Sequence, residues 1–579
     1  MAETSDLNRV SAIVLRFTRG PILVMIMVYT VGIIGMALMP GQDVDGNPQR
    51  MDLFHAFYFF TYTATTTGFG EIPQNFTHEQ RLWTIICLFM GVTAWLYAIG
   101  SIINLLQNPH FANAIAKRQF ARSVRRLWSP FYIVCGFGDT GSLLTRGLSD
   151  HGLMATIIDG DEERIKALAL RDYRDRMPGL CADGSVPKHL VDAGITHPKC
   201  LGVIALSPDD DLNLKIAVMA RFLSSSIQVM CRLTSPVHKK LLADIQDVTV
   251  INPFEEFAAQ LRLTVNAPQL HTLREWLVGA RGARLDKPLH IRSGLWILCG
   301  YSSMGSCIQR EFATQKIETI VISPNVKDVP DAKQTICDFA TTETLAAAGI
   351  ENAAGLVVGT DSDAMNLRIL LCARQFTSDA FLIVRQNKHE NELAFNASSV
   401  DLAMQTSLVT ARNILLRLIA PVLQKVIDHL EVSDPEVSTE LLNRLQQSFG
   451  DQKPHMVSIV IGKDTPAVTL VKEKGLVPSI ADIIRDPADR NRELVCVPLA
   501  LTRGSKTTVL PDGEESVQMG DALLFCATSG DTRRVLTTLK NPRRLNYLIT
   551  GYEEPSGYFF KWLNRRIPYT AELARRFEN

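Results

Sequence analysis

The sequence predicts an α-helical membrane domain, two transmembrane helices with a re-entrant helix between them, fused to two doubly wound α/β domains and a small α+β carboxy-terminal subdomain. Three observations carry that reading. The chain is apolar and free of charge from Pro21 to Met39 and again from Trp83 to Leu106, and each run is close to the roughly 20 residues that cross hydrocarbon as a helix. Between them, the aromatic segment Met51 to Thr65 is too short for a third full crossing and gives way to a glycine-punctuated run. Past residue 130, short β-branched runs alternate with helical stretches, and the pattern occurs twice with matching landmarks.

The first apolar run is too long for the core of a signal peptide and lacks a small-residue cleavage site, so it reads as a span. Arg9, Arg16 and Arg19 precede it, and Lys117, Arg118, Arg122, Arg125 and Arg126 follow the second span. The loop between carries Asp43, Asp45, Asp52 and Glu71. Positive charge therefore places both termini on the cytoplasmic side of a cell (inner) membrane. Met51 to Thr65, with Phe54, Phe57, Tyr58, Phe59, Phe60 and Tyr62, reads as the re-entrant helix. The backbone that follows is Thr66-Thr67-Gly68-Phe69-Gly70, and irregular backbone at membrane depth is tolerated only along a water-filled path. Gly68 and Gly70 supply the freedom to turn successive carbonyls to one side. Four such strands around an axis would exchange the water shell of a monovalent cation for backbone oxygens. One chain supplies one strand, so a homotetramer is expected.

No arginine-rich helix precedes the first span, so voltage is not the expected stimulus. Gly91 in the second span suits either a hinge or close helix packing, with Gly100 as a second candidate. Leu96, just over a turn beyond Gly91, would give an apolar ring that gates by dewetting if it faces the axis. His55 reads as a packed or hydrogen-bonded residue of the re-entrant helix rather than a proton sensor.

Lys+Arg and Asp+Glu balance at 60 each, which gives no reason to expect nucleic acid as a partner. The 11 cysteines show no CxxC pair and no cluster at metal spacing, and read as small core residues in a reducing compartment.

In the soluble part, Phe131-Tyr132-Ile133-Val134-Cys135 runs into Gly136-Phe137-Gly138-Asp139-Thr140-Gly141, a buried strand, a glycine turn and a helix start. Asp159 follows about 20 residues later at the end of Ala155-Thr156-Ile157-Ile158. This is a dinucleotide-binding pattern: the glycines admit a pyrophosphate at a helix amino terminus, and the acid accepts ribose hydroxyls. It favours NAD or an adenosine nucleotide over NADP, against the alternative of a packing turn beside an empty cleft. A second copy, Leu295 to Gly305, has Ser302 for the middle glycine and Ser323-Pro324 where the acid would stand. It is expected to be empty and to serve assembly. The stretch Leu206 to Leu214 is echoed by Gly359 to Leu367, and Val229-Met230-Cys231-Arg232 by Ile383-Val384-Arg385. Within that echo Asp209, Asp210 and Asp211 offer carboxylates to a calcium ion, with a solvated turn or helix cap as the alternative.

Thr63-Ala64-Thr65-Thr66-Thr67-Gly68-Phe69-Gly70-Glu71 resembles the filter signature of potassium channels, with Phe69 where tyrosine is usual and Glu71 where aspartate is usual. The duplicated Rossmann-like unit resembles tandem domains that regulate potassium conductance (RCK, or TrkA-N), a family related to nucleotide-binding subunits of bacterial potassium transporters. The resemblance implies a two-span, ligand-gated potassium channel, not an enzyme, with eight regulatory domains in a ring under the pore and K+ as permeant ion. It also implies that Asp183 and Arg232 line the nucleotide cleft, and that the helix from Asn252 to Leu263 crosses between regulatory domains. The organisation is then a pore domain at 1–106, a linker at 107–130, regulatory domains at 131–290 and 291–450, and a carboxy-terminal subdomain with an aromatic tail at 451–579. Two other readings fit parts of the pattern: a weakly selective monovalent cation channel, and an NAD-binding regulatory membrane protein of a potassium transport system. A membrane-tethered oxidoreductase would need a poised acid, base or nucleophile, and no residue presents itself as one.

Overall fold

The computed structural model describes residues 2–552, apart from 44, 73, 280–282, 290 and 377–378. The aromatic tail read at Tyr558, Phe559, Phe560 and Trp562 lies outside the described residues.

Two helices among the described residues are long and apolar enough to cross a membrane, at Val14–Leu38 and His78–Gln107. The outer helix extends over Ala2–Leu38 and the inner helix over His78–Gln107, with a pore helix at Leu53–Ala64 between them. The inner helix starts five residues before the uncharged run, because a capping box of Thr77 and Gln80 satisfies its first N–H groups. Small residues let the three helices approach. A Cβ on Gly32 would lie 2.2 Å from the Phe60 ring, and one on Gly35 would lie 2.1 Å from Trp83. Trp83 donates its indole N–H to the Gly32 carbonyl at 3.1 Å. After Asn108 the chain turns into a linker helix, Pro109–Arg125. Its Phe120 and Val124 are buried in the core of the first soluble unit.

The first unit holds β1 (Phe131–Cys135), β2 (Met154–Asp159), β3 (Gly179–Cys181), β4 (Cys200–Ala205), β5 (Gln228–Arg232) and β6 (Val248–Ile251), ordered 3-2-1-4-5-6. The second holds β7 (Trp296–Cys299), β8 (Thr319–Ile322), β9 (Gln334–Ile336), β10 (Gly355–Val358), β11 (Phe381–Gln386) and β12 (Leu402–Gln405), ordered 12-11-10-7-8-9. The two orders are the same topology, and every pairing in both is parallel. Parallel sheets are covered on both faces, which is why β1 and β7 are buried at every residue. In each sheet the strand order reverses beside the first strand of the unit, and the crevice beyond its carboxyl end is where such folds bind ligands.

The repeat is also visible in matched pins. Asn213 donates to the carbonyls of Ser207 and Arg232, and Asn366 donates to those of Thr360 and Arg385. The units exchange helices. The first crossover helix, Pro253–Asn266, buries Phe254, Phe257 and Leu261 in the core of the second unit with Trp296 and Phe312. The second crossover helix, Thr406–Ile419, buries Ala411 and Ile414 in the core of the first unit with Leu144 and Leu148.

A four-stranded antiparallel sheet closes the chain, with β13 (His455–Val460), β16 (Cys496–Arg503), β17 (Lys506–Val509) and β18 (Ala522–Ala527), beside a ribbon of β14 (Arg485–Asp486) and β15 (Asp489–Glu493). Its core takes in Leu273 and Trp276 before residue 290 and Leu423 and Leu445 before residue 450. Packing therefore crosses both of those boundaries along the chain.

One glycine tests the dinucleotide-type packing directly. A Cβ on Gly141 would sit 2.0 Å from the Gly136 carbonyl oxygen, a backbone atom that cannot step aside. Gly141→Ala should destabilise the first unit by about 1–3 kcal/mol, read as a lower melting temperature of the full chain; an unchanged temperature would contradict this packing.

Candidate functional site

Thr66, Gly68 and Gly70 have φ of 60°, 66° and 91°, while Thr67 and Phe69 keep ordinary backbone. Alternation of this kind brings successive peptide groups to the same side of the chain. Thr66 takes a conformation that costs a β-branched residue energy, so neighbouring contacts must hold it. The Thr67 N–H donates to the Tyr62 carbonyl at 2.9 Å, and the Thr65 and Thr67 hydroxyls meet at 3.0 Å. The Phe69 ring stacks on Tyr58 and meets Tyr62 edge-on, with centroids 6.2 and 5.7 Å apart.

Two braces escaped the sequence reading. Tyr62 donates its hydroxyl to the Gly70 carbonyl at 2.7 Å, so a pore-helix residue grips the carboxyl end of the Thr66–Gly70 segment where Phe69 has no hydroxyl to offer. The Gly70 oxygen is thereby turned to the pore helix. Glu71 accepts from Arg81 Nε at 2.8 Å and Nη2 at 3.1 Å, and from the Phe76 N–H at 2.8 Å. The Arg81 bonds, followed by that of Phe76, hold the Glu71 carboxyl below its ordinary value. Such a contact persists at neutral pH and is lost only as the pH falls through the depressed pKa. His55 contacts Asp52, the N-cap of the pore helix, in keeping with its hydrogen-bonded reading.

The inner helix runs unbroken through Gly91, which is buried, and a Cβ there would lie 3.1 Å from Ala64 of the pore helix. Gly100 has nothing within 4 Å of such a Cβ. Leu96 is 65% exposed on the single chain, on a helix face that the pore helix does not cover.

The second site is a cleft of about 1010 Å³ at the carboxyl ends of β1 and β2. It gathers Gly136, Phe137, Gly138, Asp139, Thr140, Asp159, Asp183 and Arg232 around one space. Gly141, behind the turn, does not line it. Gly136 has φ of 104°, which requires glycine. Gly138 is the N-cap of the helix Asp139–Asp150 and leaves its first N–H groups without a side-chain cap. Asp159 is buried, with one oxygen accepting from the Phe137 N–H and the other from the Asp161 N–H at 2.8 Å. Each oxygen keeps a further lone pair for a hydroxyl. Arg232 is drawn down from its ordinary value by burial, and its guanidinium donates to the Ser207 carbonyl at 3.2 Å. Arg164, 3.6 Å from Asp159, and Arg171 also border the cleft; no motif marked either one.

The carboxylates proposed for calcium do not converge. Asp209 caps the helix Asp210–Leu223, Asp210 accepts from the Thr234 and Ser235 N–H groups, and Asp211 lies 3.0 Å from His238. Among the described residues no group of three or more His, Cys, Asp or Glu could hold a metal ion. The metal assignment to Asp209, Asp210 and Asp211 is corrected accordingly: three neighbours in sequence serve three different partners. In the second unit the Ser302 hydroxyl donates to the Gly359 carbonyl at 2.5 Å, across the mouth of the corresponding crevice.

Residues 21–108 match the ion channel family, and residues 132–253 and 296–406 each match the TrkA-N domain. The chain thus joins an ion channel family segment, on two candidate membrane spans, to paired TrkA-N domains. Among curated proteins, potassium channel protein 1 of Methanocaldococcus jannaschii is 28% identical over 187 residues, which is 32% of this chain and 54% of that protein. The voltage-gated potassium channel Kch of Escherichia coli (strain K12) is 28% identical over 210 residues, 36% of this chain and 48% of its own length. The chain thus spans about half the length of these relatives. Among solved structures it is similar to the GsuK channel bound to NAD, with 15% identity, 92% of this chain and 99% of that chain covered, and a TM-score of 0.44.

The Tyr62 brace yields a conservative test. Tyr62→Phe keeps the ring and removes only the hydroxyl, at a cost of about 1 kcal/mol to the backbone arrangement of Thr66–Gly70. Sustained single-channel recordings should show shorter open periods; periods as long as those of the unsubstituted channel would contradict the brace.

Proposed function

We propose that this chain is one subunit of a homotetrameric potassium channel of the cell membrane, with both termini cytoplasmic, opened or closed by NAD or an adenosine nucleotide in the first TrkA-N unit. The observation that carries the pore reading is the alternating backbone of Thr66, Gly68 and Gly70. Four copies would line an axis with the carbonyls of Thr66, Thr67, Gly68 and Phe69, enough to replace ion hydration. Leu96 is the residue we assign to the gate.

Self-assembly is supported by exposed apolar side chains at related places in the two units. Phe222, Val237 and Leu241 are 83%, 65% and 58% exposed in the first, and Leu371 and Leu393 are 70% and 83% exposed in the second. Such patches on a soluble surface mark contacts with another protein, and further copies of the chain would make eight units in a ring. Nucleotide binding is supported by the Gly136 turn, the uncapped helix at Gly138 and the buried Asp159, which suit a pyrophosphate and a ribose. The site is read as a sensor. Burial pushes the Cys135 thiol in this cleft up to about 12, which leaves it unreactive at neutral pH.

Coupling would pass through the linker helix, fixed in the first unit by Phe120 and Val124 and separated from the inner helix only by Asn108. Each site need contribute little. Moving a gate from about 1% to about 99% open takes about 5.5 kcal/mol of differential binding, or roughly 1.4 kcal/mol for each of four subunits.

Single-channel recording of reconstituted protein, with NAD and ADP added to the cytoplasmic face, tests this reading. Open probability should change with nucleotide, and Asp159→Ala should shift that response to at least about tenfold higher concentration. An equal response in both proteins would refute the ribose assignment.

A further inference from the structure

The nucleotide cleft is not built by the first unit alone. Its opposite wall comes from the second unit of the same chain: the segment 387–390 and the start of the second crossover helix. The His389 N–H donates to Asp139 at 3.5 Å, which lays that segment over the amino terminus of the helix Asp139–Asp150. Two helix amino termini therefore border one space. The helix Asp139–Asp150 starts at Gly138, which has no side chain to cap it, and Thr406–Ile419 starts at Gln405, which makes no side-chain cap bond. Both leave first-turn N–H groups for another acceptor.

Ser407 adds an observation independent of either helix end. It lines the cleft, is only 8% exposed, and its hydroxyl has no hydrogen-bond partner. A buried hydroxyl is ordinarily paired, so this one is placed to donate to something that enters the cleft. Lys388 brings a cation to the same wall. Asp139 and Glu390 border it too, and the same space is lined by four cations, Lys388, Arg164, Arg171 and Arg232.

The repeat supplies an internal contrast. The first crossover helix begins Asn252-Pro253-Phe254, where the Asn252 side chain accepts the Phe254 N–H at 3.1 Å and Pro253 has no N–H at all. The crevice of the second unit is spanned by the bond from Ser302 to Gly359. One cleft is thus open and bordered by unused donors, while its counterpart is capped and bridged.

We infer that Ser407, the amino terminus of its helix and Lys388 bind the second phosphate of a nucleotide whose ribose is held by Asp159, so that the ligand joins the two units of one chain. This rests on the nucleotide reading above. The ligand class it selects is a nucleotide with at least two phosphates, as in ADP or a dinucleotide, over a monophosphate.

Calorimetric titration of the full-length channel in detergent with ADP and with AMP tests the inference. Ser407→Ala and Lys388→Gln should each weaken ADP about tenfold, the loss expected for one bond to a charged phosphate, and leave AMP unchanged. If ADP binds both variants as tightly as the unsubstituted channel while Asp159→Ala loses it, the second unit takes no part and the inference is overturned, with the nucleotide site itself intact. Equal losses of ADP and AMP would show a damaged cleft in place of a lost phosphate contact, and overturn it as well. If the unsubstituted channel binds neither nucleotide, the reading beneath it falls too.

Discussion

Everything in the membrane part serves a backbone that would not hold its shape alone. Thr66, Gly68 and Gly70 are left-handed in alternation, and a β-branched threonine in that region is unfavourable without support. The support is local and layered. The Tyr62 carbonyl anchors Thr67, the Tyr62 hydroxyl anchors Gly70, the Phe69 ring packs on Tyr58 and Tyr62, and Glu71 ties the outer end to Arg81 at the start of the inner helix. The pore helix and the inner helix are in turn seated on the outer helix through Gly32 and Gly35. The Thr66–Gly70 backbone is thus tied by contacts to both spans.

Past the membrane part, two similar units are packed into each other. Each gives a helix to the other's core, with Phe254 and Phe257 going one way and Ala411 and Ile414 the other. A ligand between units joined in this way has leverage over their relative position. The linker helix, buried at Phe120 and Val124, is the nearest rigid route from that position to the inner helix. The first crevice has its glycine loop and acid, while the second carries Ser302 at the place of the middle glycine.

Much of this was legible in the sequence because the features involved are local. Gly136, Gly138 and Asp159 are fixed by steric demand and short spacing, and the spans by uninterrupted hydrophobicity. What escaped notice depends on distance or on partners. Arg81 sits ten residues from Glu71 in a polar turn outside the apolar window, and the Tyr62 hydroxyl is hidden in a run of aromatic residues. Asp209, Asp210 and Asp211 look like one cluster in sequence, yet each turns to a different partner once the loop closes. Ser407 has no motif around it, and its place in the cleft arises only because its helix crosses to the other unit. The matching of Asn213 with Asn366 was visible as an echo, but its purpose, pinning a loop to a strand end, needed the fold.

The central claim is that carbonyl oxygens of this backbone stand in for the hydration of a potassium ion. Reversal potentials of the reconstituted channel, with potassium on one side of the bilayer and sodium on the other, test it most directly. The account predicts a reversal far toward the potassium equilibrium potential. A reversal at zero, showing equal passage of both ions, would contradict it.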